Sequence, residues 1–250
     1  MMENLSLLEL FKKIFRNSKY LYGLIIFIIF LSILSWIQNY YGNTIIYALT
    51  YLLYIIYILY LFVYIVSSLY NEDLLDSKDL SVIRKYFKQS IKILGLSIVY
   101  LIPTYLILFL LSLVFLKFSY IFVLLIFLLV IITFYITSPL VFLFILFLKE
   151  GKDVGINILL KSTKIAITKD YFKVFLKSIL FSILVTLIFN ILYVIFSVYF
   201  IYNNFILDVF LLISEIALEI ISLMLTLSIS FYLYYSIKNI VRTKNILQTS

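Results

Sequence analysis

Long apolar runs alternate with short polar connections along the whole chain. A helix that crosses a bilayer needs about 20 apolar residues. Six segments match that length or exceed it: 21–38, 44–69, 93–116, 119–148, 178–202 and 209–236. Because the runs are continuous and do not alternate with a period of two, they indicate helices and not a membrane β-barrel. We therefore predict an all-α polytopic integral membrane protein, a single membrane domain over residues 1–250 with six transmembrane helices.

The composition supports a membrane protein and narrows its chemistry. The chain is 65% hydrophobic and 13% charged, whereas soluble domains are about a quarter charged. Cysteine and histidine are both absent, which excludes disulfides, thiol nucleophiles, histidine bases and Cys/His metal sites. The sequence has no P-loop, G-x-S-x-G or H-E-x-x-H motif. We predict a protein that is not an enzyme and binds no cofactor and no metal.

Positive charge is confined to one side of the predicted helices. Every Lys and Arg except Lys117 lies before the first run, between the second and third, between the fourth and fifth, or after the sixth. Cytoplasmic connections carry such an excess, so we predict a multi-pass protein of the cell membrane with both termini cytoplasmic. A basic cytoplasmic face suits the anionic inner leaflet, and without a compact basic domain we predict no nucleic-acid partner.

Three basic stretches, 7–23, 80–94 and 159–180, each precede a pair of apolar runs. Their cations recur at helical spacing, which predicts basic amphipathic helices in the membrane interface and a three-fold hairpin repeat with units 7–70, 80–148 and 159–237. The alternative is that cytoplasmic loops are rich in lysine in general and that the similarity between the three stretches arose by chance. The candidate contacts to anionic lipid are Lys12, Lys13, Arg16, Lys19, Arg84, Lys85, Lys88, Lys92, Lys161, Lys164, Lys169, Lys173 and Lys177.

Two glutamates stand inside the sixth apolar run. Glu215 and Glu219 are one helical turn apart, and no Lys or Arg lies within any run. If the helix starts near Leu218, both lie at the outer interface and are solvated. If the whole run tilts through the membrane, Glu219 approaches the middle, where a carboxyl must be protonated or partnered. Asn190 is one neutral partner available to them.

Tyrosines recur every three or four positions in the second run, and a tyrosine hydroxyl in hydrocarbon needs a partner. One hypothesis is that this stripe lines a cavity that ends near Glu219 and binds a lipid or another amphiphile. The alternative is ordinary packing combined with a compositional excess of tyrosine. The candidate lining residues are Tyr47, Tyr51, Tyr54, Tyr57, Tyr60, Tyr64 and Asn190.

Two stretches resemble known membrane families. Residues 139–181 resemble glycerophosphoryl diester phosphodiesterase membrane-domain proteins, on the matching residues Pro139, Gly151, Leu159, Ser162, Tyr171 and Phe172. That resemblance implies a membrane architecture and no activity, because the family's catalytic part is a separate soluble domain without a counterpart in this sequence. The N-terminal "LLELFKKIFRNSKYLYGLIIFII" is similar to permease subunits of ABC exporters, which implies a cytoplasmic ATPase partner.

Three functional hypotheses follow. The first is a non-catalytic membrane protein that binds membrane lipids or a partner membrane protein. The second is a permease subunit of an ABC-type exporter, energised by a separate ATPase that docks on the cytoplasmic connections. The third is a proton-coupled carrier that uses Glu219.

Overall fold

The computed structural model describes residues 6–17, 21–42, 44–71, 79–115, 120–152, 154–155, 157–199 and 204–244. Over these residues the protein is all-helical, as predicted, with eight helices and no strand. The helices are α1 Leu7–Arg16, α2 Tyr22–Tyr41, α3 Thr44–Asn71, α4 Asp79–Phe115, α5 Tyr120–Lys149, α6 Asn157–Ala166, α7 Lys169–Tyr199 and α8 Asn204–Thr243.

Three stretches of these helices are long and apolar enough to cross a membrane, fewer than the six predicted. They are Thr44–Asn71, Lys169–Ile195 and Val209–Thr243. Within the described part of the chain, Tyr22–Gln38 of α2 and Tyr135–Lys149 of α5 are apolar but shorter. The chain is thus an all-helical protein with membrane-spanning character in three helices.

The three basic stretches differ in the helices that they form. The first gives α1, a separate amphipathic helix with Leu7, Leu10 and Ile14 buried. The second stretch lies within α4, which is interrupted at Tyr86, where the backbone (φ −114°, ψ 16°) is not helical. The Tyr86 hydroxyl donates to Oδ1 of Asn71 at 2.7 Å, which fixes the bend inside the basic stretch.

The third basic stretch is divided between α6 and α7. The Thr168 hydroxyl accepts a hydrogen bond from the backbone N–H of Tyr171 at 3.2 Å, so it caps the first turn of α7. Lys169, Lys173 and Lys177 consequently belong to the beginning of the membrane-spanning helix itself. The third basic stretch thus contributes to a short helix and to the beginning of a long one, and the three-fold repeat stays a prediction.

The chain divides into two compact units. The first contains Met1–Glu3, Phe87–Leu176 and Leu233–Ser250, and the second contains Asn4–Tyr86 and Lys177–Tyr232. In the second unit α2 packs directly on α3, with the ring of Phe27 5.9 Å from that of Tyr57. Gly42 ends α2 in the left-handed conformation (φ 56°), where glycine avoids a steric cost, and allows the short connection to α3.

The core of the first unit surrounds Pro139, which lies buried inside α5. Proline has no N–H, so the carbonyl of Tyr135 loses its helical donor. The Ser138 hydroxyl donates to that carbonyl at 3.1 Å, and Ser138 is also hydrogen-bonded to the buried Tyr171 hydroxyl of α7. On α6, the Ser162 hydroxyl donates to the carbonyl of Ile136 at 3.2 Å. The side chains around Pro139 thus join α5 to α6 and α7.

Candidate functional site

A cavity of about 300 Å³ lies between α2, α3 and α8 of the second unit. Nine of its eleven lining residues carry polar side chains, although each of these helices is otherwise largely apolar. At 1.5 Å per residue the stretch from Thr50 to Tyr57 covers about 10 Å of α3 and ends at the helix centre. The lining residues are Ile28, Leu31, Ser32, Ser35, Gln38, Thr50, Tyr51, Tyr54, Tyr57, Glu215 and Glu219.

The two glutamates of α8 both face this cavity. Glu215 is half-buried and accepts a hydrogen bond from the Ser35 side chain, while Glu219 is exposed. Glu219 is close enough to interact electrostatically with Glu215 and with Tyr57. No Lys or Arg lines the cavity among the described residues. The site is therefore rich in carboxylate without a neighbouring cationic side chain.

Two hydroxyl-bearing residues of the cavity wall are largely buried. Tyr57 is 6% exposed and Ser32 is 4% exposed. Because both residues line the cavity, their hydroxyls are within the wall that a polar group placed inside the cavity would meet.

The tyrosine stripe of α3 divides between the cavity and the helix packing. Tyr51, Tyr54 and Tyr57 line the cavity. Tyr60 stacks on Phe27 with 6.5 Å between ring centroids, and Tyr64 is buried at 2% exposure. The stripe drifts around the helix because spacings of three and four do not repeat a 3.6-residue turn. Tyr47 lies on the exposed side, 44% accessible.

The polar residues of α2 were missed by the sequence analysis. Ser32, Ser35 and Gln38 are spaced by three residues within an apolar run, so they share one helix face. That spacing was visible in the sequence and predicts a polar stripe facing α3. Thr50 gave no such signal in the sequence. In the structure its hydroxyl donates a hydrogen bond to the Ile46 carbonyl of its own helix at 2.8 Å.

Asn190 lines a second cavity, of about 320 Å³, between α7 and α8. Glu219 lines this cavity as well, together with hydroxyl-bearing residues of both helices such as Thr186, Ser222 and Thr226. Glu219 therefore stands between the two cavities. A further concave surface, of about 570 Å³, is formed by residues of α7 alone, from Ser182 to Ile195. A single helix face cannot enclose a ligand.

The cations predicted to contact lipid are buried, half-buried or exposed in the structure, except for Lys19, which lies outside the described residues. Lys161 is buried, at 8% exposure, and its ammonium lies 5.1 Å from the centre of the Phe147 ring. Lys13 is half-buried. The exposed members are Lys12, Arg16, Arg84, Lys85, Lys88, Lys92, Lys164, Lys169, Lys173 and Lys177.

The described residues contain no group of three or more Asp or Glu side chains that could hold a metal ion.

Comparison with known proteins assigns no family to the chain. No family model matches the chain, and no curated protein and no solved structure is similar to it. The two resemblances stated from the sequence stay predictions, and the cavity between α2, α3 and α8 is the structural feature that bears most directly on function.

Proposed function

We propose that the protein is a non-catalytic multi-pass membrane protein that binds an amphiphile, such as a lipid, in the α2–α3–α8 cavity. The observation that supports it is the convergence of nine polar side chains from three apolar helices on one cavity. Polar groups in hydrocarbon are unfavourable unless they find partners. A head group with hydrogen-bonding atoms would supply them.

The exposure of the cavity wall favours a ligand with an apolar tail. Tyr51 is 74% exposed and Tyr54 is 49% exposed, so the cavity opens at the side of α3. In a membrane that side opening faces lipid. An amphiphile can then place its head group among the polar side chains while its tail stays in the bilayer.

We place the cavity in a six-span topology with both termini cytoplasmic. The helices α2, α3, α4, α5, α7 and α8 have 20 to 40 residues, and 20 helical residues cover about 30 Å, the thickness of the hydrocarbon core. In this orientation the α2–α3 connection is external, so the cavity lies in the outer half of the membrane. The basic residues then face the anionic inner leaflet.

Trp36, the one tryptophan of the chain, provides a direct test. It follows Ser35 on α2, beside the cavity wall. With the protein in lipid nanodiscs, a neutral alkyl glycoside with a doxyl group near its head should quench Trp36 fluorescence with saturation. Quenching that rises linearly with concentration, without saturation, would show that the amphiphile only partitions into the bilayer and would overturn the proposal.

Two pairs of variants assign the binding to the cavity. Ser32→Phe fills the cavity and should abolish saturable quenching, whereas Ile33→Phe, at an exposed position of the same helix, should not. Tyr51→Ala removes an exposed cavity residue without disturbing packing and should weaken binding, whereas Tyr47→Ala, outside the cavity, should leave it unchanged. If, in each pair, the cavity variant bound the amphiphile as well as its control variant, a site in the cavity would be refuted.

The position of Glu219 supports a second candidate function, a proton-coupled carrier. Glu219 lines the α2–α3–α8 cavity and also the cavity between α7 and α8, so its carboxyl is accessible from either. In proteoliposomes with a trapped pH indicator, Glu219→Gln should abolish proton-coupled flux of the amphiphile, while Glu150→Gln, at an exposed position, should not. Unchanged flux in Glu219→Gln would eliminate the carrier. An ATPase partner stays a prediction that co-purification from native membrane tests.

A further inference from the structure

The α2–α3–α8 cavity holds two carboxyl groups and no cationic side chain. Glu215 and Glu219 are separated by one turn of α8, so their side chains lie side by side and repel each other when both are charged. Of the described residues, none with a positive charge lines the cavity. A cation that entered would relieve this repulsion and gain attraction from both carboxylates.

The aromatic wall of the cavity adds a second preference for a cation. The rings of Tyr54 and Tyr57 are 6.4 Å apart, and both line the cavity, as does Tyr51. The face of an aromatic ring attracts an ammonium group, by about 2 kcal/mol when the site is shielded from water. Carboxylates beside aromatic rings therefore favour an organic cation over a neutral head group.

The hydroxyl groups of the wall indicate which kind of ammonium. Tyr57 and Ser32 line the cavity together with the two glutamates. A primary ammonium carries three N–H donors, which can reach a carboxylate and both hydroxyl oxygens. A quaternary ammonium has no N–H donor for these oxygens.

We infer that the α2–α3–α8 cavity binds the primary ammonium head group of an amphiphile, with Glu215 and Glu219 as its ion-pair partners. This inference rests on the proposed amphiphile-binding function and names its ligand class. The tail leaves through the side opening at Tyr51. The two carboxylates oppose an anionic head group, and the described residues offer no group of three or more Asp or Glu side chains that could hold a metal ion.

Competition between three amphiphiles with one alkyl chain tests the inference. An alkylamine, an alkyl glucoside and an alkyl phosphate each displace the doxyl-labelled glycoside, followed by Trp36 fluorescence in nanodiscs of zwitterionic lipid. The alkylamine should displace the probe at a concentration about tenfold lower than the glucoside, an affinity gain that a partly shielded cation–π contact and ion pair can supply. The phosphate should be the weakest competitor.

The double variant Glu215→Gln, Glu219→Gln should bring the ratio of amine to glucoside affinity close to one. Glu150→Gln, which removes a carboxylate outside the cavity, should leave that ratio unchanged. If the double variant does not fold, Glu219→Gln alone, at an exposed position, should lower the ratio.

The outcomes separate the two proposals. Saturable binding of all three amphiphiles without preference, or a preference for the phosphate, overturns the ammonium inference and leaves amphiphile binding intact. A preference for the amine that survives the glutamate substitutions also overturns it. Absence of saturable binding for every amphiphile overturns the proposed function itself.

Discussion

Ser35 on α2 donates a side-chain hydrogen bond to the carboxylate of Glu215 on α8. The two residues are far apart in the sequence and belong to opposite walls of the same cavity. Because the bond joins two largely apolar helices, it fixes where the polar face of α2 stands relative to the glutamates. The cavity therefore depends on a contact between helices and not on either helix alone.

Removing this hydrogen bond should destabilise the protein. We expect Ser35→Ala to lower the free energy of unfolding by about 1 kcal/mol, the usual size of a hydrogen bond between membrane helices. Titration into a denaturing detergent measures this change. A double-mutant cycle with Glu215→Ala isolates the pair, and a coupling energy of zero would contradict the assigned contact.

Alanine at two glycines should have opposite effects. Gly42 has φ 56°, and Gly95 lies within α4, where an added Cβ would meet nothing within 4 Å beyond its chain neighbours and the backbone of its own helix. We expect Gly42→Ala to cost about 1 kcal/mol because the left-handed conformation crowds a Cβ. Gly95→Ala should stabilise the protein by about 0.5–1 kcal/mol, since alanine is the better helix former. Unfolding free energies measure both, and effects of the same sign would contradict the assigned backbone.

The Tyr171 hydroxyl should contribute to stability through Ser138. Tyr171 is fully buried, and its hydroxyl is hydrogen-bonded to Ser138 beside Pro139. We expect Tyr171→Phe to cost about 1 kcal/mol and Tyr171→Ala about 3–5 kcal/mol through the cavity that it leaves. Tyr47→Phe makes the same change at an exposed tyrosine and should stay within about 0.5 kcal/mol. Thermal unfolding in detergent compares the three variants.

The first turn of α1 should weaken in acid. The Ser6 backbone N–H and hydroxyl each donate to Oε2 of Glu9 at 2.7 Å, and these bonds hold the pKa of Glu9 below its ordinary value of 4.5. A lowered pKa means that the carboxylate stabilises the folded helix. This contribution is complete above the unfolded value and is lost as the pH falls through the lowered folded value.

Hydrogen exchange of α1 amides measures this loss. The Leu10 amide, which donates to the Ser6 carbonyl at 3.0 Å, should lose protection as the pH falls below about 4.5. Glu9→Gln should remove that dependence, since glutamine does not titrate. Ser6→Ala should destabilise α1 by about 1 kcal/mol at neutral pH. Protection in the unaltered protein that does not change with pH would contradict the capping role of Glu9.

The proposed orientation predicts which lysines are accessible from outside the cell. Lys152, 44% exposed and paired with Glu150 at 2.7 Å, and Lys244, 42% exposed, lie in predicted cytoplasmic segments. An amine reagent that cannot cross membranes should leave both unlabelled in intact cells and label both after permeabilisation. Labelling of either in intact cells would reverse the topology and place the cavity in the inner half of the membrane.

The sequence predicted the helices more reliably than their limits. Apolar runs such as 44–69 and 209–236 lie within α3 and α8, because a backbone in hydrocarbon satisfies its hydrogen bonds only as a helix. The third basic stretch gives a short helix, α6, and the first turns of α7, because the cap at Thr168 starts a new helix within it. The bend at Tyr86 depends on its contact with Asn71 of α3, which no local pattern contains.

By itself, then, the sequence determined the helical class and the membrane-spanning character, since these follow from composition and local periodicity. It also singled out the tyrosines and glutamates as unusual. Tertiary structure decided that Tyr51, Tyr54 and Tyr57 share a cavity with Glu215 and Glu219, and that Tyr60 and Tyr64 do not. Which tyrosines line the cavity depends on the rotation of each helix about its axis, and packing against neighbouring helices sets that rotation.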